Sequence, residues 1–167
     1  MSITVQVEPA EQSDWAVEYR WDRDTDILTA SAGLPANGEG VSGSVELTGA
    51  DGSWLILDLA AGRVRGVEVA VWPDVRSVRS LGVPDEIPDA QLVIPASDGG
   101  ARVASFEVST SLVAEADTTE RTIHFRVGGA KPRRTVRIAR DILVDIDGSN
   151  AIAGIWLLNV PPFPAQS

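Results

Sequence analysis

The stretch WLILDLAAGRVRGVEV, residues 54–69, decides the fold class of this chain. Leu55, Leu57 and Leu59 recur at every second position, and Val67 and Val69 do the same after a glycine-containing turn. Residues two apart lie on the same face of a β-strand, so each run has one apolar face. The stretch therefore predicts a β-hairpin with one buried side.

A second stretch, DILVDIDGSNAIAGIWL at residues 141–157, matches the first with one residue inserted in the turn. Asp58 then aligns with Asp145, and Gly66 aligns with Gly154. The apolar positions that coincide are 55, 57, 59, 67 and 69 with 142, 144, 146, 155 and 157. A shift of one residue would exchange the two faces of every strand, so agreement in face favours an internal duplication over two unrelated hairpins. Each copy is predicted to contain four strands.

Alternation of apolar and polar residues extends through most of the chain, as in Trp15–Trp21 and Thr122–Val127. Turn-forming clusters separate the runs at Gly38–Gly40, Asp51–Gly52 and Asp98–Gly100. The predicted fold is mainly β, with duplicated antiparallel sheet units packed as a pseudo-dimer and at most one or two short helices. One helix is predicted over Asp74–Leu81, from apolar residues at three-residue spacing.

The segment Trp21-Asp22-Arg23-Asp24-Thr25-Asp26-Ile27-Leu28 resembles the opening of a short bacterial domain family of unknown function. Copies of that family begin Tyr-Asp-x-x-x-Asp-x-Leu-Tyr and close with Val-Asp-x-Asp, a glycine turn and Val-Gly-Ile-Glu-Ile-Leu. Residues 57–69 and 144–157 are similar to the closing motif, although Trp21 replaces the tyrosine and Trp156 replaces the glutamate. The resemblance covers about residues 17–72 and 105–160. It implies a small β-rich unit and no assigned reaction.

These patterns divide the chain into three parts. Residues 1–73 form a first β repeat with an N-terminal strand, and residues 103–167 form a second β repeat with a C-terminal tail. Residues 74–102 form a connection whose prolines exclude a continuous helix or a central strand. We expect this connection to pack across the sheets.

Composition and charge limit the classes of function. The net charge is −10, and residues 1–90 carry all of it, with 16 acidic and 6 basic side chains. A field of this sign repels phosphate backbones, so we expect no nucleic-acid partner. Residues 1–12 lack the pattern of a signal peptide, no stretch is apolar enough to span a membrane, and there are no cysteines. A cytoplasmic protein without membrane association is therefore expected.

No catalytic, cofactor-binding or metal-binding residues are predicted. His124 is the only histidine, and alternation places it on the polar side of its strand, as a surface residue. Asp22, Asp24 and Asp26 have the spacing with which calcium loops begin, but Ile27 and Gly33 stand where such loops need glycine and glutamate. Formation of a turn is the preferred interpretation of these aspartates, and a calcium loop is the alternative.

The possible interaction surface consists of Arg133, Arg134, Arg137, Arg140 and Trp156. The arginines either protect an edge strand from aggregation or bind an acidic partner, such as the first half of the same protein. Trp156 makes its strand apolar on both faces, so the other repeat or a second subunit is expected to cover it.

Three functions are compatible with these observations. The first is a non-enzymatic β module that acts through protein–protein interaction or self-association. The second is a small-ligand-binding protein, or a cryptic enzyme, with a pocket between the repeats lined by tryptophan and arginine. The third is an acidic immunity or antitoxin protein that masks a basic partner, which the charge of residues 1–90 motivates.

Overall fold

A computed structural model describes residues 3–10, 15–32, 42–94 and 103–163, and the fold is mainly β, as the sequence predicts. The strands are β1 (Gln6–Pro9), β2 (Val17–Trp21), β3 (Leu28–Ala32), β4 (Ser42–Thr48), β5 (Trp54–Ala60), β6 (Arg63–Val71), β7 (Val75–Ser77), β8 (Ala90–Val93), β9 (Val103–Ser109), β10 (Leu112–Ala116), β11 (Ile123–Val127), β12 (Arg134–Ala139), β13 (Ile142–Ile146) and β14 (Ile152–Leu157). Within these four ranges there is no helix, and so none that could cross a bilayer. The turns predicted at Gly38–Gly40 and Asp98–Gly100, and Gly33 of the calcium alternative, lie outside the described residues.

The strands form two sheets. The first has the order β1-β8-β6-β5-β4-β9, and the β2–β3 hairpin joins it through pairing of β3 with β6. The second has the order β12-β13-β14-β11-β10-β7. Neighbouring strands are antiparallel except for the pairs β4–β9 and β10–β7, which are parallel.

Five strands in each sheet follow one another in the same order. These are β2-β3-β6-β5-β4 in the first sheet and β10-β11-β14-β13-β12 in the second. Each set therefore has five strands rather than the four predicted. A shared strand order does not establish a common origin, so the internal duplication stays a prediction.

The two aligned hairpins have the same pairing. Asp58 lies opposite Gly66 on β5 and β6, and Asp145 lies opposite Gly154 on β13 and β14. In both hairpins the register shifts immediately after the aspartate. The shift is a β-bulge, which bends the strand. The glycine opposite the aspartate has no side chain, so the neighbouring strand can approach closely.

The apolar faces of both sheets meet in one hydrophobic core. Leu55 and Leu57 contribute from the first sheet, and Phe125, Ile142 and Ile155 contribute from the second; each is at most 1% exposed. Alternation in the sequence identified these positions correctly because one face of each strand is withdrawn from water.

The helix predicted over Asp74–Leu81 is wrong. Residues 75–77 form β7, which lies beside β10, and the hydrogen bonds are Ala114 N to Asp74 O (3.3 Å) and Val78 N to Ala116 O (2.9 Å). A helix of eight residues between Pro73 and Pro84 would be marginal by itself. Strand β10 instead provides hydrogen-bond partners for residues 75–77, and the spacing of apolar residues within this segment does not reveal them.

Residues 78–88, which we call the strap, cross the outer face of the second sheet. The strap begins at the β10 edge, through Val78 N, and ends at the β12 edge, where Arg137 N donates to Pro88 O (2.9 Å) and Asp89 bridges to Arg137. Leu81, Val83, Pro84 and Ile87 are only partly exposed along it. The strap therefore covers part of the outer face of this sheet with the same chain.

Candidate functional site

An open groove of about 600 Å³ lies where the two sheets meet. Its walls come from the ends of β2 and β6, from β7, from the β10–β11 turn and from the C-terminal segment. The lining residues are Trp21, Asp26, Trp72, Val75, Ala116, Thr119, Glu120, Ile123, Pro161, Pro162 and Phe163. The groove is therefore formed by parts of the chain that lie up to 140 residues apart in sequence.

Three aromatic rings form one side of the groove. The indoles of Trp21 and Trp72 are stacked, with centroids 5.7 Å apart and planes 16° apart. Phe163 meets Trp21 edge-on at 5.2 Å and 84°. Phe163 is 42% exposed and Val75 is 45% exposed, so apolar surface remains open to solvent here.

The C-terminal segment is fixed to the groove by hydrogen bonds from aromatic side chains. The Tyr19 hydroxyl donates to the Leu158 carbonyl (2.6 Å), and Trp21 Nε1 donates to the Pro161 carbonyl (2.9 Å). Burial raises the pKa of the Tyr19 phenol, and the charge of Asp141 raises it further, so this donor keeps its proton. The wall made by Pro161, Pro162 and Phe163 is thereby positioned.

The two acidic residues of the groove belong to corresponding turns. Asp26 ends the turn between β2 and β3 at φ 61°, and Glu120 ends the turn between β10 and β11 at φ 58°. Asp22 Oδ1 accepts from the backbone N–H groups of Asp24 (2.9 Å) and Thr25 (3.2 Å). The Asp22 carboxylate thus holds a turn, the preferred interpretation from sequence. In the described parts of the chain, no three His, Cys, Asp or Glu side chains converge to hold a metal ion.

A second polar arrangement is buried under the strap. Asp145 Oδ2 lies 2.7 Å from His124 Nε2, and Asp145 Oδ1 accepts from Thr135 Oγ1 (2.6 Å) and Trp156 Nε1 (3.0 Å). The imidazole of His124 and the indole of Trp156 stack with centroids 3.9 Å apart. Asp145, Trp156 and His124 are 2%, 6% and 7% exposed, respectively. One carboxylate therefore serves two buried groups, His124 and Trp156, and the partly buried Thr135 hydroxyl.

The prediction that His124 is a surface residue is wrong. Alternation placed it on the face away from the core, which is correct, but the strap and Trp156 cover that face. Cavities of about 320 and 330 Å³ flank the imidazole, and Ser80 of the strap lines the smaller one. Across the described ranges, the hydrogen-bond partner of the His124 side chain is Asp145, and no serine donates to the imidazole.

Hydrogen bonding dominates the titration of Asp145. Burial pushes its pKa upward, but the hydrogen bonds from His124, Thr135 and Trp156 outweigh burial, and the pKa lies below its ordinary value of 3.8. A carboxylate with a lowered pKa stabilises the folded state above its unfolded pKa, and this contribution is lost as pH falls through the folded pKa.

The free energy of unfolding is therefore expected to fall as the pH drops below 3.8. Urea unfolding at a series of pH values should show a smaller decrease for Asp145→Asn than for the unmodified protein over this acid range. Other carboxylates with lowered pKa values, such as Asp51 beside the Ser53 hydroxyl, are present in both proteins and cancel in the comparison. Parallel curves for the two proteins would contradict this assignment.

The predicted interaction surface is only partly accessible. Trp156 is 6% exposed, because the core covers one face of its strand and the strap covers the other; a role of these residues in an interaction stays a prediction. Arg133, Arg134 and Arg140 are exposed. Arg134 donates to Asn150 Oδ1 (3.3 Å), and Arg137 donates to the Arg140 carbonyl. Among the described residues no carboxylate forms an ion pair with these four arginines.

Sequence reasoning anticipated a pocket between the repeats lined by tryptophan and arginine. Tryptophans line the groove, but no arginine in the part of the chain that the structure describes does so. Phe163 was not predicted as a site residue, and Asp26 was considered only as part of a calcium loop. The available signals were Trp21 directly before the Asp22 turn, Trp72 directly before Pro73, and an aromatic residue after Pro161-Pro162.

No protein-family model matches this sequence, and comparison with curated proteins finds no significant similarity. The resemblance to the short bacterial domain family therefore stays a prediction. Function has to be argued from the geometry of the chain itself.

Proposed function

We propose that this protein is a ligand-binding module and that its ligand binds in the groove between the two sheets. The observation that carries the proposal is an open space of about 600 Å³ lined by Trp21, Trp72 and Phe163. Sites for small molecules are clefts of roughly 300–1,000 Å³, mostly apolar, with a few polar groups that orient the ligand. The groove has this size and this mixture of surfaces.

The open apolar surface argues for an occupant. Trp21, Trp72 and Phe163 contact one another, yet Phe163 remains 42% exposed. Exposed aromatic surface next to polar groups is typical of binding sites. The sequence-based argument for protein–protein interaction used the repeat, the lack of a catalytic motif and an apolar strand in need of a cover, and the strap already lies over that strand. The immunity-type hypothesis depends on the charge of residues 1–90.

Fragment screening by NMR tests this proposal, because the five indole N–H groups give separate signals. Ligands of the groove are expected to shift the signals of Trp21 and Trp72 and to leave those of Trp15, Trp54 and Trp156 unchanged. A library that is mixed in charge and polarity avoids assuming a ligand class.

Phe163→Ala provides the variant arm of this experiment. It removes one wall and is expected to weaken binding about fivefold, since an aromatic contact contributes roughly 1 kcal/mol. Val113→Ala is the matched control, because Val113 is equally exposed (44%) but lies outside the groove. The proposal fails if no fragment shifts Trp21 or Trp72, or if the two variants bind equally well.

A further inference from the structure

Among the described residues, the side chains that line the groove offer hydrogen-bond acceptors to a ligand but no free donor. Trp21 Nε1 donates to Pro161 O (2.9 Å), and Trp72 Nε1 donates to Asp26 O (2.7 Å). The Thr119 hydroxyl donates to Asp117 Oδ1 (2.9 Å). The remaining polar side chains are the carboxylates of Asp26 and Glu120, which only accept when ionised. A ligand that needs donors, such as a carboxylate or a phosphate, finds none among these side chains.

The charge of the groove also disfavours an anion. Asp26 and Glu120 enter the groove from opposite turns, and no Lys, Arg or His of the described ranges lines it. The whole chain carries −10, so its field attracts cations towards the groove and repels anions.

The aromatic rings complement a cation through their faces. With both indole N–H groups occupied inside the protein, Trp21 and Trp72 present only hydrocarbon and π surface to a ligand. A cation near the face of an aromatic ring is attracted by the ring quadrupole, most strongly with tryptophan. Phe163, perpendicular to Trp21, closes a corner of the groove with a third ring.

We infer that the ligand is a small organic cation, an alkylated ammonium group on an apolar body. This inference rests on the proposed function and names its ligand class. The cationic group lies near Asp26 and Glu120, and the apolar body lies against Trp21, Trp72 and Phe163.

Choline and its uncharged carbon isostere, in which a tert-butyl group replaces the trimethylammonium group, test the inference directly. The two have nearly the same shape and differ in charge. NMR titrations that follow the Trp21 and Trp72 indole signals should give a dissociation constant about tenfold lower for choline, from cation–π and carboxylate attraction together. Acetate, as an anion, should cause no shift.

Variants of Asp26 and Glu120 test whether these two carboxylates cause the preference for choline over its isostere. Asp26→Asn together with Glu120→Gln is expected to weaken choline binding about fivefold to tenfold and to leave binding of the isostere unchanged. Both replacements keep the shape of the side chain, and asparagine tolerates the positive φ at position 26. Glu46→Gln together with Glu107→Gln is the matched control, because these paired residues of β4 and β9 lie outside the groove.

The outcomes separate this inference from the proposed function. If the isostere binds as tightly as choline, or acetate binds, the cation assignment is wrong while the groove remains a binding site. If an arginine-rich peptide shifts Trp21 and Trp72 but choline does not, the small-molecule assignment is wrong and a protein partner takes its place. If Glu46→Gln with Glu107→Gln weakens choline binding as much as the groove variant, the effect is one of net charge and the assignment to Asp26 and Glu120 fails.

Discussion

Gly154→Ala is expected to lower the free energy of unfolding by at least about 3 kcal/mol. A Cβ atom at this position would lie 2.5 Å from Asp145 Oδ2, 2.9 Å from His124 Nε2 and 3.0 Å from the Phe125 carbonyl oxygen. These atoms cannot move aside independently, because Asp145 is bonded to three donors and Phe125 O belongs to the neighbouring strand. Urea unfolding measures the loss.

Two other glycines provide graded controls. At Gly129 an added Cβ meets nothing within 4 Å, so Gly129→Ala should change stability by less than about 1 kcal/mol. At Gly66 it would meet the Ala30 carbonyl oxygen at 2.8 Å but the Asp58 carboxylate only at 3.4 Å, so an intermediate loss is expected. Equal unfolding midpoints for the Gly154 and Gly129 variants would show that the close approach at Gly154 does not exist in solution.

Asp145→Ala is expected to cost about 3–5 kcal/mol of stability at neutral pH, since each buried polar group left without a partner costs roughly 1–3 kcal/mol. The replacement leaves His124, Thr135 and Trp156 without their common acceptor, and Trp156 and His124 are only 6% and 7% exposed. If the alanine variant does not fold, Asp145→Asn keeps one acceptor oxygen and should show a smaller loss in the same urea experiment.

The matching residue of the first sheet supplies the control for this prediction. Asp58 occupies the same hairpin position, but burial raises its pKa, so its charged form is disfavoured in the fold. Asp58→Asn should therefore leave stability nearly unchanged or increase it. A loss at Asp58 as large as that at Asp145 would contradict the contrast between the two sheets.

The features that the sequence predicted correctly are those that local periodicity determines. Alternation at 55–59 and 142–146 identified the buried faces, and the alignment of Asp58 with Asp145 matched positions that pair in the same way in the structure. These inferences succeeded because side-chain direction alternates strictly along a strand.

Periodicity could not predict what covers a face or which strand ends meet. His124 and Trp156 lie on the face that alternation assigns, but the strap that buries them comes from residues 78–88. The groove depends on contacts between Trp21 and Pro161 and between Trp72 and Asp26, across 140 and 46 positions. Contacts between residues so far apart in the sequence produce no pattern within a window of ten residues. The exposed arginines were visible in the sequence, but their lack of a carboxylate partner in the described ranges was not.

The position of the strap has a consequence for the order of assembly during synthesis. Residues 78–88 leave the ribosome before every strand of the five-strand set that they cross, and β14, which lies at the centre of that set, is made last. Domains generally fold from the N-terminus during translation, but this segment has no surface to cover until residues 152–157 have been added. The strap therefore closes over the second sheet only after residues 152–157 have been added, and until then Leu81 and Ile87 are exposed to other nascent chains and to chaperones.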